Sequence, residues 1–264
     1  MKSNCPTTVW FNELKKKFHQ HIERAHEIEK NICPMSCFKG RIDAEFFKKL
    51  SCDKKQRKAM KRGIVKDLSI QFMDIRGFTT KTATMAPDRI ITLLDIFIPE
   101  MIHIIINRHR GMVDKLLGDG IMALYGHPYA TGDEIIQAIF SSVDMQQAAS
   151  AMGQVLEISG YDPIEIGVGV NCGKVLICEV GDMNYRESTV IGAPVNLASK
   201  MEDMAHAYEI LLPLTVLPEI EKRKPRMTRY LSDKGVHHRV GVLGFDWVGY
   251  LENEPREVPD WKIV

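Results

Sequence analysis

The chain has 264 residues, 45% hydrophobic and 26% charged, with a net charge of +1. That length suits one large domain or one domain with an extension, and the near-neutral balance gives no sign of a nucleic-acid surface or an acidic tail. The opening MKSNCPTTVW has no apolar run behind a basic region, so no secretory signal is expected.

The most apolar stretch, Ile90 to Ile106, is interrupted by Asp95, Pro99, Glu100 and His103. A membrane span needs about 20 mostly apolar residues. A cytoplasmic protein is therefore expected, with neither a membrane nor a nucleic acid as partner. In that setting Cys5, Cys33, Cys37, Cys52, Cys172 and Cys178 read as thiols rather than a disulfide framework. Cys33 and Cys37 have no second Cys or His pair at finger-like spacing, so they read as small buried residues rather than a zinc site.

In chain order, residues 1–65 form a unit of their own and residues 66–264 a second. Trp10, Phe11, Leu14, Phe18, Ile22, Ala25, Ile28 and Ile32 recur at helical spacing, with Lys15, Lys16, Lys17, Glu23 and Arg24 off the stripe. This predicts an N-terminal helical extension whose stripe packs on the main domain or pairs with its copy in a dimer, plain packing being favoured over a partner-binding helix. The basic run from Lys54 to Lys66 reads as a solvated linker.

Leu68, Ile70 and Phe72 alternate with polar residues and predict a strand. Pro87 and Asp88 open a helix to about Arg108. Met112–Leu117 and Ile121–Tyr125 predict two strands about the tight turn Gly118-Asp119-Gly120. A helix follows from Asp133 to about Leu156. Ile164–Val170 and Val175–Val180 predict a second hairpin about Asn171-Cys172-Gly173-Lys174. Thr189–Ile191 is a short strand, Pro194 opens a helix to about Ala207, and Ile210–Leu212 adds a strand. Val240–Leu251 reads as edge strand. The order is that of an α+β fold, a ferredoxin-like βαββαβ sandwich with helices on one face of the sheet.

Two aspartates stand out. Asp74 ends the first predicted strand in Phe72-Met73-Asp74-Ile75-Arg76-Gly77-Phe78-Thr79, and Asp119 sits in the tip of the next hairpin. In a βαββ fold those strands are neighbours, so the carboxylates can converge. Hard oxygen ligands at an open edge suit Mg²⁺ or Mn²⁺, and two such ions can activate an attacking oxygen and stabilise a leaving one. The turn Ile75-Arg76-Gly77-Phe78, between Asp74 and Thr79, leads toward a helix, and its backbone N–H groups can face an anion such as a triphosphate, which makes Gly77, Phe78 and Thr79 candidates for substrate binding.

Phe-x-Asp-Ile-Arg-Gly-Phe-Thr, then Asp-Lys-x-x-Gly-Asp-Gly-Ile-Met-Ala-x-x-Gly, then Thr-Val-Ile-Gly-x-x-Val-Asn-Leu-Ala-Ser-x-Met resembles the catalytic domain of class III adenylyl and guanylyl cyclases. The resemblance covers roughly residues 67–213. It implies a homodimer with active sites at the subunit interface, closing a nucleoside triphosphate into a 3′,5′-cyclic nucleotide with loss of pyrophosphate. It implies that Asp74, Asp119 and the carbonyl of Ile75 bind two Mg²⁺ or Mn²⁺. Lys115 and Thr189, from the other subunit, correspond to the base-reading pair, and Asn196 to the residue that orients the ribose.

Three positions depart from the family pattern. Lys200 stands where a transition-state arginine is usual, and it offers a point charge without the two-pronged fork. Ala193 stands where bacterial relatives often have Asp. Leu243-Gly244 replaces a Lys-Gly whose lysine holds pyrophosphate, leaving Lys234 and Arg239 as substitutes.

A lysine donor beside a threonine suits adenine or cytosine, and threonine can also donate to uracil. The short chain is similar to the stand-alone pyrimidine cyclases of bacterial anti-phage (Pycsar-type) defence, whose cyclic CMP or cyclic UMP activates a separate effector. A pyrimidine cyclase is the reading favoured on that analogy. An adenylate cyclase and a nucleotide-binding module without turnover are the alternatives.

Overall fold

The computed structural model describes residues 63–128, 130–181 and 186–254. The predicted helical stripe from Trp10 to Ile32, the Cys33–Cys37 pair and the basic run up to Arg62 lie outside the described residues.

The described chain runs β1 (Ile64–Ile75), α1 (Phe78–Thr82), α2 (Pro87–His103), β2 (Met112–Leu117), β3 (Gly120–Tyr125), α3 (Glu134–Ile158), β4 (Ile166–Gly181) and β5 (Arg186–Ile191). It continues with α4 (Ala193–Met204), β6 (Ile210–Pro213), α5 (Leu217–Arg223), β7 (Leu231–His237), β8 (Val240–Phe245) and α6 (Trp247–Asn253). One sheet orders the strands β2-β3-β1-β4-β6-β8-β7, with β5 also paired to β4. Among the described strands only β4 and β6 pair in parallel. The first four strands thus have the antiparallel order β4-β1-β3-β2 expected of βαββαβ.

Alternation along β1 assigns its residues to two faces. Met73 and Ile75 enter the large core with Phe97 and Met101 of α2 and Ile139 of α3. Leu68, Ile70 and Phe72 point the other way and pack with Met122 and with Ala198 of α4. The expected one-sided arrangement of helices is corrected here: α2 and α3 cover one face and α4 the other. The reason lies in β4, where Gly169 lacks the side chain that would hold α4 off. A Cβ there would overlap the amide nitrogen of Glu202 and the carbonyl oxygen of Ala198.

The predicted hairpin about Asn171-Cys172-Gly173-Lys174 does not form. β4 is one strand of 16 residues, laddered to β1 without a break from Ile166↔Ile75 to Ile177↔Ile64. Asn171 spends its side chain locally, donating to the Pro194 carbonyl (3.0 Å) and accepting from the Cys172 amide (2.8 Å), so it does not turn the chain. The hairpin partner of β4 is β5.

The tail also differs from the expectation. β8 is interior, between β6 and β7, and Trp247–Asn253 is helical, capped by Asp246, whose side chain accepts from the Gly249 amide. α2 ends in a wider π-turn, Ile104–Arg108. The segment Pro87–Arg108 is the one described helix long and apolar enough to cross a membrane. Here it supplies core, with Phe97, Met101, Ile104 and Ile105 fully buried.

Candidate active site

The two aspartates predicted to converge do so. β1 pairs with β3 through Met73↔Ile121, which brings the end of β1 against the β2–β3 turn. Gly118 takes a positive φ of 69°, as primed hairpin turns require. Gly120 is a clearance: a Cβ there would lie 2.9 Å from Asp74 Oδ1 and 2.9 Å from the Met73 carbonyl oxygen. The Asp74 carboxylate thus rests over bare backbone of the hairpin that carries Asp119.

Burial pushes the Asp119 carboxyl up to about 6, with the neighbouring Asp74 charge adding to the rise. Hydrogen bonds from the backbone amides of Asp119 and Ile75 act against it. Its Oδ2 is buried with no hydrogen-bond partner. A buried acceptor facing a second carboxylate is a costly arrangement for a protein alone and a suitable one for a hard divalent cation. Among the described residues no group of three or more His, Cys, Asp or Glu could hold a metal.

Arg76, unassigned by the sequence reading, organises the end of β1. Its Nη1 donates to the carbonyls of Glu202 (3.2 Å) and Ala205 (3.1 Å), the C-terminal turn of α4. Its Nη2 forms an ion pair with the Glu202 carboxylate and reaches Asp74 Oδ2 at 3.5 Å. Gly167 makes room for the guanidinium, since a Cβ there would lie 2.8 Å from Arg76 Nε. The signal for this contact was Gly167-Val168-Gly169: two glycines on one face of a strand announce a close approach. The Arg76 amide donates to the Glu165 carbonyl (2.8 Å), so it is not available to an anion. Gly77, at φ 69°, turns the chain into α1, which holds Phe78 and Thr79.

The remaining candidates fall into two groups. Lys115 pairs with Met122, which faces α4, so it shares a sheet face with Phe72 and Asp74. Its ammonium lies 3.3 Å from the buried Asp114. Asn196 and Lys200 are exposed and one turn apart on α4, while Ala198, Met201 and Glu202 take the buried side.

Thr189 stands apart. It pairs with Cys178, while Asp74 pairs with Gly167. Eleven residues of strand separate those partners, a contour of up to roughly 36 Å. Its neighbour Val190 faces the α4 side, so Thr189 faces away. One chain does not bring Thr189 to Asp74. Of the two proposed substitutes for the missing lysine, Lys234 is bonded to Glu209 Oε1 (2.8 Å), and Arg239 sits in the β7–β8 turn at φ 69°.

Comparison with known proteins agrees with this layout. The family described as "Adenylate and Guanylate cyclase catalytic domain" matches residues 60–234. An adenylate cyclase of Dictyostelium discoideum, terminal-differentiation specific, is 34% identical over 154 residues, 58% of this chain and 7% of that protein. An adenylate cyclase of Anabaena cylindrica is 32% identical over 145 residues, 53% of this chain and 28% of that one. The chain therefore spans only a minor part of these relatives. Among solved structures, the guanylyl cyclase Cya2 superposes with a TM-score of 0.62 at 28% identity, over 69% of this chain and 93% of that one. The adenylyl cyclase CyaB from P. aeruginosa gives 0.62 at 26%, over 69% and 95%. The chain belongs to the adenylate and guanylate cyclase catalytic domain family.

Proposed function

We propose that this chain is a nucleotide cyclase, a phosphorus–oxygen lyase that turns a nucleoside triphosphate into a 3′,5′-cyclic nucleotide and pyrophosphate. The observation that carries the reading is the Asp74–Asp119 pair, with its orphaned buried oxygen at the end of β1. These carboxylates and the Ile75 carbonyl are the groups to hold two Mg²⁺ or Mn²⁺. Such ions, when bound, lower the pKa of the attacking 3′-hydroxyl and neutralise phosphate charge. Asn196 orients the ribose, and Lys200 places a cation beside the α-phosphate, where charge develops. Gly77, Phe78 and Thr79 border the triphosphate, and Lys115 and Thr189 read the base.

The separation of Thr189 from Asp74 supports a homodimer in which each site draws on two chains. Purified protein in which Asp74→Ala and Thr189→Ala chains are mixed should regain part of the activity each lacks alone. Verified heterodimers without any rescue would refute the shared site.

The base is the finer question. A lysine–threonine pair fits the Watson–Crick edge of cytosine, and threonine can turn its hydroxyl to uracil, which supports a pyrimidine substrate. With it goes the reading of a cytoplasmic second-messenger enzyme of anti-phage defence, acting through a separate effector. Adenine offers the same edge as cytosine, and the relatives from Dictyostelium discoideum and Anabaena cylindrica are adenylate cyclases, which favours ATP as the second reading. Incubation with Mn²⁺ and each of ATP, GTP, CTP and UTP, followed by mass spectrometry, decides the matter. Cyclic AMP alone would end the pyrimidine reading, and no product from any substrate would leave a nucleotide-binding module. Within this reading residues 66–264 are the catalytic unit and residues 1–65 an extension to it.

A further inference from the structure

The Arg76 guanidinium sits between two carboxylates and is shared unequally. Glu202 takes it in a full ion pair from a side chain only 11% exposed. Asp74 Oδ2 stands at 3.5 Å, the outer edge of a hydrogen bond, and its side chain is 38% exposed. The other prong is pinned by the carbonyls of Glu202 and Ala205, so the cation is anchored to α4 on that side. A cation free to close on Asp74 would occupy the oxygen that a divalent ion needs, and would repel that ion as well.

Resting on the assignment of Asp74 and Asp119 as the metal-holding pair, we infer that Glu202 is a positioning residue for the metal site: it draws the Arg76 charge onto α4 and keeps Asp74 open. Glu202 touches neither metal nor substrate. It acts through Arg76, and Gly167 gives the guanidinium the room to lie where Glu202 can hold it. In the absence of the Glu202 charge, the nearest carboxylate to Nη2 is Asp74.

Equilibrium binding of Mn²⁺ to the nucleotide-free protein, followed by electron paramagnetic resonance, tests this without reference to turnover. Glu202→Gln keeps the shape and removes the charge, and should raise the Mn²⁺ Kd by about fivefold, the size of one nearby charge partly screened by water. Adding Arg76→Gln to that variant should bring the Kd back to within about twofold of the unaltered protein, because the competing cation has gone. A merely structural role predicts the reverse, since the double variant has lost both halves of the fastening. Arg76→Lys provides a second arm: a lysine can keep the Glu202 pair without a prong for Asp74, so Mn²⁺ should bind at least as tightly as before. An unchanged Kd in Glu202→Gln, a double variant as weak as the single one, or weakened binding in Arg76→Lys would each overturn the inference. Failure of the underlying assignment looks different: the unaltered protein would then bind no Mn²⁺, or its binding would survive Asp119→Asn.

Discussion

Beneath α2 and α3 the sheet meets Phe97, Met101, Ile104 and Ile139, all fully buried, in one large apolar cluster. On the α4 face the apolar clusters are smaller. There the fit is made by absent side chains, at Gly167 and Gly169, and by one ion pair between Arg76 and Glu202. The first face can lose a methylene and relax around it. At Gly169 the second brings backbone against backbone, where little can yield. Stability is thus concentrated on one face, and the placement of Asp74, Lys115 and the helix bearing Asn196 and Lys200 on the other.

Substitutions on each face should separate these roles. Phe97→Ala should cost about 3–5 kcal/mol of folding free energy, the usual range for a buried phenylalanine. Denaturant unfolding measures it, and Mn²⁺ affinity of the protein that remains folded should not change. Asp119→Asn should do the opposite. It should lower cyclase activity by roughly a hundredfold or more, the scale of losing one group that stabilises transition-state charge. The metal-free melting temperature should hold or rise, because a buried charge facing Asp74 is gone. Gly169→Ala should fall between these effects and show both, since α4 must shift to admit the methyl. A loss of about 1–3 kcal/mol is expected for such overpacking, together with a drop in kcat, measured on the same preparation. If Gly169→Ala lowers stability and leaves kcat intact, the two faces are less distinct than their packing implies.

Acidity gives the finest test, because the two ends of β1 titrate in opposite directions. Near its start, burial holds the His127 imidazole down to about 4, with Lys66 adding to the effect. The unfolded chain then binds the extra proton, so stability is full above the ordinary histidine value near 6.5 and falls as pH drops through about 4. Near its end Asp119 is raised to about 6, so its contribution is full below about 4 and is lost as pH rises through 6. Added Mn²⁺ should restore that loss, raising Tm more at about pH 7.5 than at about pH 5. His127→Gln should flatten the acid limb and leave the Mn²⁺ response alone.

Much of this was legible in the sequence where chemistry and period coincide. Asp74 at a strand end and Asp119 between two glycines announced themselves, because a strand pattern and a turn pattern fixed both positions. The order of β1 to β4 followed from the same patterns. The second hairpin was misread because Asn171-Cys172-Gly173-Lys174 has turn composition, while its fate depends on β1 lying alongside to extend it. The α4 face was harder still. Gly167 and Gly169 say that something comes close without saying what, and Arg76 reads as a turn residue until Glu202, far along the chain, is seen against it. Thr189 shows the same limit, since its distance from Asp74 is set by the length of a strand that the sequence divided in two.

That unbroken strand has a consequence for how the protein behaves in dilute solution. On the proposed shared site, one chain supplies Asp74 and its partner supplies Thr189, so no single copy assembles the whole set. Output per molecule should then fall on dilution, and total output should follow the square of protein concentration when copies are scarce. A cell holding twice as much of the protein would have up to four times the product. The number of copies present would itself be a setting of the signal.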